Sequence, residues 1–132
     1  LHGPETPHRV EAIRAEAGVE IMKALPIGSA EDIAHVADFV DVADRILLDA
    51  KPPKGADRPG GLGASFDWNL LGNLDPSIPF MLSGGLTPDN VADAVRTVKP
   101  MGIDASSGLE TAPGVKSKKL IEAFIRNARM AQ

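Results

Sequence analysis

Apolar residues along this chain follow two alternating rhythms. In VEIMKALPI, residues 19–27, they run almost unbroken until Pro26 and Gly28 close the run, which predicts a short buried strand. RILLDA (45–50), PFMLS (79–83) and MGIDA (101–105) are compact runs of the same kind. Between them the spacing changes to that of a helix. Val10, Ile13 and Ala17 follow Thr6 as N-cap and Pro7 as first helical residue, with Gly18 as the stop. Ser29 precedes Ile33, Val36, Ala37 and Val40, Thr87 and Pro88 precede Val91, Ala94, Val95 and Val98, and Leu120, Ile121, Phe124 and Ile125 mark a last amphipathic helix.

Strands and helices that alternate at intervals of about 25 residues predict βα units on a parallel sheet, because each parallel crossover needs a helix on the sheet face. Four complete units follow a strand stub at LHG, so five strand positions are represented. A closed eightfold barrel needs about 200 to 250 residues. The 132 residues therefore form a single α/β domain, either an open five-stranded sheet or about the last five units of a partial TIM (β/α)8 barrel. Leu1 in place of Met, running straight into His2-Gly3, reads as the tail of a strand and so as a piece of a longer chain.

Composition narrows the partners. A net charge of −4 gives no basic field for nucleic acid or an anionic membrane surface. No stretch approaches the roughly 18 apolar residues of a membrane span, and the start lacks a signal-peptide pattern. The expectation is a soluble, cytoplasmic protein. The absence of cysteine excludes disulfides, thiolate metal sites and a cysteine nucleophile or base from these residues.

In both architectures ligands bind at the carboxyl ends of the strands. Ser83-Gly84-Gly85 follows one strand and Ser106-Ser107-Gly108 the next. Glycine permits a tight turn and lets N–H groups approach an anion, and a helix start at Thr87 adds a favourable dipole end. Two such loops on successive strands could grip one phosphate, or each could be only a turn. Asp49 and Asp104 lie at the end or middle of apolar strands, where a carboxylate is costly unless paired or used; each is either an acid–base group or a salt-bridge or capping residue. His2 is a candidate ligand or a hydrogen-bonded wall residue, while His8 and His35 fall on solvated helix faces. Lys51 lies close enough to Asp49 in sequence to act on it. The Pro- and Gly-rich stretch after Asp49 is too long for an ordinary connection, and its GGLGASFDW does not fit the dinucleotide fingerprint.

LHGPE, RILLDA, GGLGASFDW, LSGGLTPDNV and IDASSGLETAPGVKS, in this order over essentially the whole chain, strongly resemble phosphoribosylanthranilate isomerase, an eightfold-barrel enzyme of tryptophan biosynthesis. The resemblance implies an Amadori rearrangement of N-(5-phosphoribosyl)anthranilate to the carboxyphenylamino-deoxyribulose phosphate, with no metal and no cofactor. It makes Asp49 the general acid on the furanose ring oxygen. It places the phosphate on the loops holding Gly84, Gly85, Ser106 and Ser107. Asp104 falls near the anthranilate side, His2 matches the histidine of the family's strand-four LHG, and Gly60, Gly61 and Gly63 belong to a mobile loop that closes over substrate. The family's first three strands, which carry a cysteine general base and a substrate-binding arginine, have no counterpart here. The segment alone is then expected to be inactive, and its open sheet edges to favour self-association or pairing with the missing N-terminal part. The alternative is a catalytically silent half-barrel that binds phosphate or mediates assembly. The lysine–glutamate set of indoleglycerol-phosphate synthase and the metal-binding histidines of ribulose-phosphate epimerase are not found.

Overall fold

The computed structural model describes residues 1–51 and 68–132. Gly60, Gly61 and Gly63 lie outside the described residues. Strands β1 (Met22–Ile27), β2 (Arg45–Ala50), β3 (Phe80–Ser83) and β4 (Gly102–Ile103) form one parallel sheet in that order. The described residues thus build an open α/β layer of barrel type, without closure. The expected fifth strand is reduced to one residue: the Leu1 N–H group donates to Met22 O and Leu1 O accepts from Ala24 N, the parallel pattern about Lys23.

Helix α1 (Pro7–Ala17) starts as its sequence dictates, with the Thr6 hydroxyl accepting from Arg9 N, and ends at Gly18 in the left-handed region at φ 63. Helix α2 (Ala30–Ala34) has a full capping box between Ser29 and Asp32. The single helix expected to run on to Val40 instead tightens into a 3-10 helix over His35–Phe39. That geometry brings i and i+3 into line and turns Val36 and Phe39 together into the core.

Helix α3 (Val91–Val98) begins later than expected. Asn90 accounts for the delay: its side chain accepts from Thr87 N and donates to Gly85 O, so residues 87–90 form a bonded turn ahead of the first helical turn. Helix α4 (Lys118–Met130) is capped by Ser117 and buries Phe124 and Ala128. Between β4 and α4 the expected plain loop contains a 3-10 turn, Ser107–Leu109, and a hairpin of β5 (Glu110–Ala112) and β6 (Val115–Lys116).

Alternation along the strands separates two faces. Leu25, Ile27, Ile46, Leu48, Phe80 and Leu82 pack with the helices in the main core. Leu47, Asp49, Met81 and Ser83 occupy the other face. Lys23 is the exception on the helix side: only 2% exposed, it donates to Gly3 O at 2.7 Å and Glu5 Oε2 at 2.9 Å, and lies 5.8 Å from the Phe39 ring centroid.

Candidate functional site at the carboxyl ends of the strands

The register aligns Asp49 with Ser83, and the β3–β4 pairing of Leu82 with Ile103 carries Ser83 on to Asp104. All three belong to the face away from the helices. Neighbouring strands lie about 4.8 Å apart, which sets the two aspartates roughly 10 Å apart along the row. Between them the Ser83 hydroxyl donates to Asp104 Oδ2 at 2.9 Å. Asp49 is partly exposed at the penultimate position of β2. Asp104 sits just past β4 and is exposed, with its own N–H bonded to Leu82 O at 2.8 Å. The burial cost expected for Asp104 therefore does not apply: it is a rim carboxylate in contact with a hydroxyl.

The two glycine loops leave β3 and β4 at this same edge. Gly84 has φ 92, and a Cβ there would lie 2.1 Å from Ala50 O. Gly85 also has a positive φ, of 63, but a Cβ would meet nothing within 4 Å, so its backbone faces open space. A Cβ on Gly108 would lie 2.0 Å from Leu86 O. The glycines are thus required in part by packing, since they seat one loop on β2 and the two loops on each other. The helix start expected at Thr87 is corrected by the structure, which begins α3 at Val91 and gives the Thr87 N–H to Asn90 Oδ1.

Ser106 and Ser107 are exposed at the head of the second loop. Lys116, which the sequence reading missed, reaches back from β6 and donates to Ser106 O at 2.9 Å and Ser106 Oγ at 3.0 Å. Ser83 entered that reading only as part of a turn. Strand register, counted from Asp49, was the signal that could have found it; the Lys116 contact depends on a hairpin with no alternating pattern.

The remaining candidates lie outside the Asp49–Ser83–Asp104 row. His2 is exposed and follows Leu1, which lies level with Lys23 and Ile46, so His2 falls beside the Leu47 row below Asp49. His35 is exposed and stands 3.3 Å from Asp38. The Lys51 charge acts on Asp32. The Asp32 carboxyl is held below its ordinary value chiefly by the Gly28 N–H, with the Ser29 hydroxyl and N–H and then Lys51 adding to it against partial burial. Among the described residues no group of three or more His, Asp or Glu is placed to hold a metal ion, and no helix is long and apolar enough to cross a membrane. A groove of 650 Å³ lies elsewhere, at the open edge of β4 between α3 and α4, with Met101, Ile103, Phe124 and Ile125 among its walls.

A parallel βα sheet with carboxylates in register and paired glycine loops at the carboxyl edge defines an α/β protein of the barrel class, with its candidate site on the strand ends. Residues 1–127 match the family model described as N-(5'phosphoribosyl)anthranilate (PRA) isomerase, and the chain belongs to that family. A curated relative from Rhodopseudomonas palustris (strain BisB18), an N-(5'-phosphoribosyl)anthranilate isomerase, is 60% identical over 132 residues, covering 100% of this chain and 61% of its own length. The crystal structure of phosphoribosyl anthranilate isomerase from Thermotoga maritima superposes with a TM-score of 0.78 at 33% identity, over 98% of this chain and 60% of that one. A phosphoribosyl anthranilate isomerase in complex with reduced 1-(o-carboxyphenylamino)-1-deoxyribulose 5-phosphate superposes with a TM-score of 0.73 at 29% identity, over 98% and 58%. The chain spans about 61% of the length of such curated relatives.

Proposed function

We propose that this chain forms the acid and phosphate-binding side of a phosphoribosylanthranilate isomerase active site, acting in tryptophan biosynthesis. The observation that carries the reading is the in-register row Asp49, Ser83, Asp104, with the Gly84-Gly85 and Ser106-Ser107 loops leaving the same edge. The substrate is a phosphorylated small molecule, N-(5-phosphoribosyl)anthranilate. Its phosphate lies against Gly84, Gly85, Ser106 and Ser107, and its aromatic end toward Asp104 and His2.

Asp49 in its protonated form gives a proton to the furanose ring oxygen. The C1–O bond breaks and the nitrogen lone pair closes an iminium at C1. A base then removes the C2 proton, the electron pair forms the C1–C2 double bond of an enaminol, and protonation of C1 with loss of the C2 hydroxyl proton leaves the C2 ketone. Proton donor and base are both required, and these residues contain no cysteine to serve as that base. The 132 residues, acting as one cytoplasmic domain, are therefore inactive alone and need a base supplied by other βα units. The reaction draws on no cofactor or metal.

The test is turnover of N-(5-phosphoribosyl)anthranilate by the full chain mixed with the cysteine-bearing N-terminal segment of a relative. Asp49→Asn should lower kcat by about 10²- to 10⁴-fold. Undiminished turnover would remove Asp49 from the acid role.

A second reading, a silent half-barrel for assembly, is favoured by the 650 Å³ apolar groove at the β4 edge, beside Met101 at 60% and Ile125 at 45% exposure. Both readings share association through that edge, either with a second copy or with the missing N-terminal units. A monomer by sedimentation, unchanged on adding such units, would count against both.

A further inference from the structure

Lys116 stands ten residues beyond Ser106, and the β5–β6 hairpin folds it back onto that residue. Its ammonium makes contacts with Ser106 O at 2.9 Å, Ser106 Oγ at 3.0 Å and Glu110 Oε1 at 2.5 Å. A lysine ammonium has three donors and no acceptor, so these partners occupy it fully. Glu110 is fixed in turn, because its Oε2 accepts from Gly114 N at 3.0 Å across the turn. Lys116, and after it the Gly114 N–H, hold the Glu110 carboxyl below its ordinary value, so the carboxylate is charged at neutral pH.

The consequence falls on Ser106. A hydroxyl has one hydrogen to donate and accepts through its lone pairs. Lys116 can only donate, so Ser106 Oγ accepts from it, and the hydroxyl hydrogen is left for another partner. The same ammonium anchors the Ser106 carbonyl, which also accepts from Leu109 N at 3.0 Å and so fixes the turn from which Ser107 and Gly108 emerge.

We propose that Lys116 is a positioning residue for phosphate-ester recognition: it orients the Ser106 hydroxyl as a donor and braces its loop, without itself binding the phosphate. This rests on the phosphate reading of the rim. With all three donors engaged, Lys116 acts on the anion only through Ser106 and through its charge behind the loop. Glu110 is the anchor that keeps the ammonium there, across the short hairpin between β4 and α4.

The experiment titrates the full chain with inorganic phosphate by calorimetry, for the wild type, Lys116→Met, Ser106→Ala and the double variant, alongside melting curves without phosphate. Lys116→Met and Ser106→Ala should each weaken binding by about tenfold. The double variant should lose clearly less than the sum of the two single losses, since the lysine works mainly through that hydroxyl. Lys116→Arg, which keeps a donor-only cation, should recover most of the loss. Fully additive losses, or Lys116→Met binding like wild type, would overturn the positioning role while leaving the phosphate reading intact. A wild type that binds no phosphate would overturn both. Should Lys116→Met fail to fold, Glu110→Gln decides: it should weaken phosphate binding several-fold, and unchanged binding would overturn the proposal.

Discussion

Gly84 rides directly on the backbone of Ala50: a Cβ at residue 84 would fall 2.1 Å from the Ala50 carbonyl oxygen and 2.6 Å from its nitrogen. The contact seats the loop after β3 on the end of β2, next to Asp49. The adjoining Gly85 has the same sign of φ and none of the crowding. Gly84→Ala is therefore expected to destabilise by roughly 3 kcal/mol or more, since left-handed strain and overpacking add. Gly85→Ala should cost about 1 to 2 kcal/mol, from strain alone. Equal shifts of the two variants in urea denaturation would show that the close approach to Ala50 is not what demands glycine.

Lys23 and Glu5 form an asymmetric pair, with 2% and 21% of their side chains exposed. Removing Glu5 leaves a buried ammonium with the Gly3 carbonyl as its remaining hydrogen-bond partner, whereas removing Lys23 leaves a carboxylate that water can reach. Glu5→Ala should lower the melting temperature more than Lys23→Met. The reverse order, measured by scanning calorimetry, would mean that the lysine's burial is well supported without its partner.

Acid should unfold the chain through a small set of carboxylates. Glu5 is lowered first by Lys23, Asp44 first by the Ile21 N–H and then by Arg14, and Glu110 first by Lys116. A depressed folded-state value means that the unfolded chain binds more protons, so stability rises with pH across the gap. The contribution is complete above the ordinary values of 4.5 for Glu and 3.8 for Asp, and is lost as pH falls through the depressed ones. Denaturant midpoints should be flat between about pH 5 and 7 and fall steeply below. A midpoint that holds to pH 3 would contradict these assignments.

What the sequence made legible was local. Thr6, Pro7 and Gly18 bracket α1, and Ser29 opens α2, because caps are decided by neighbours within four residues. The strands were legible as apolar runs, and Asp49, Gly84 and Gly85 as residues at their ends. What escaped depended on contacts across the chain. Asn90 displaces the start of α3 by bonding back to Gly85, and the β5–β6 hairpin is hidden in a Pro-Gly stretch with no alternation. The Ser83–Asp104 and Lys116–Ser106 contacts become visible only once register and a ten-residue reach are known.

Under the proposed function, substrate meets this chain at the carboxyl edge of its sheet. The most direct measurement is an amide-resolved NMR titration of the full chain with reduced 1-(o-carboxyphenylamino)-1-deoxyribulose 5-phosphate. The largest shifts are expected at Gly84, Gly85, Ser106 and Ser107, with Asp49 and Asp104 responding beside them. Shifts concentrated at Met101 and Ile125 in the β4-edge groove, with a silent rim, would contradict the proposed function.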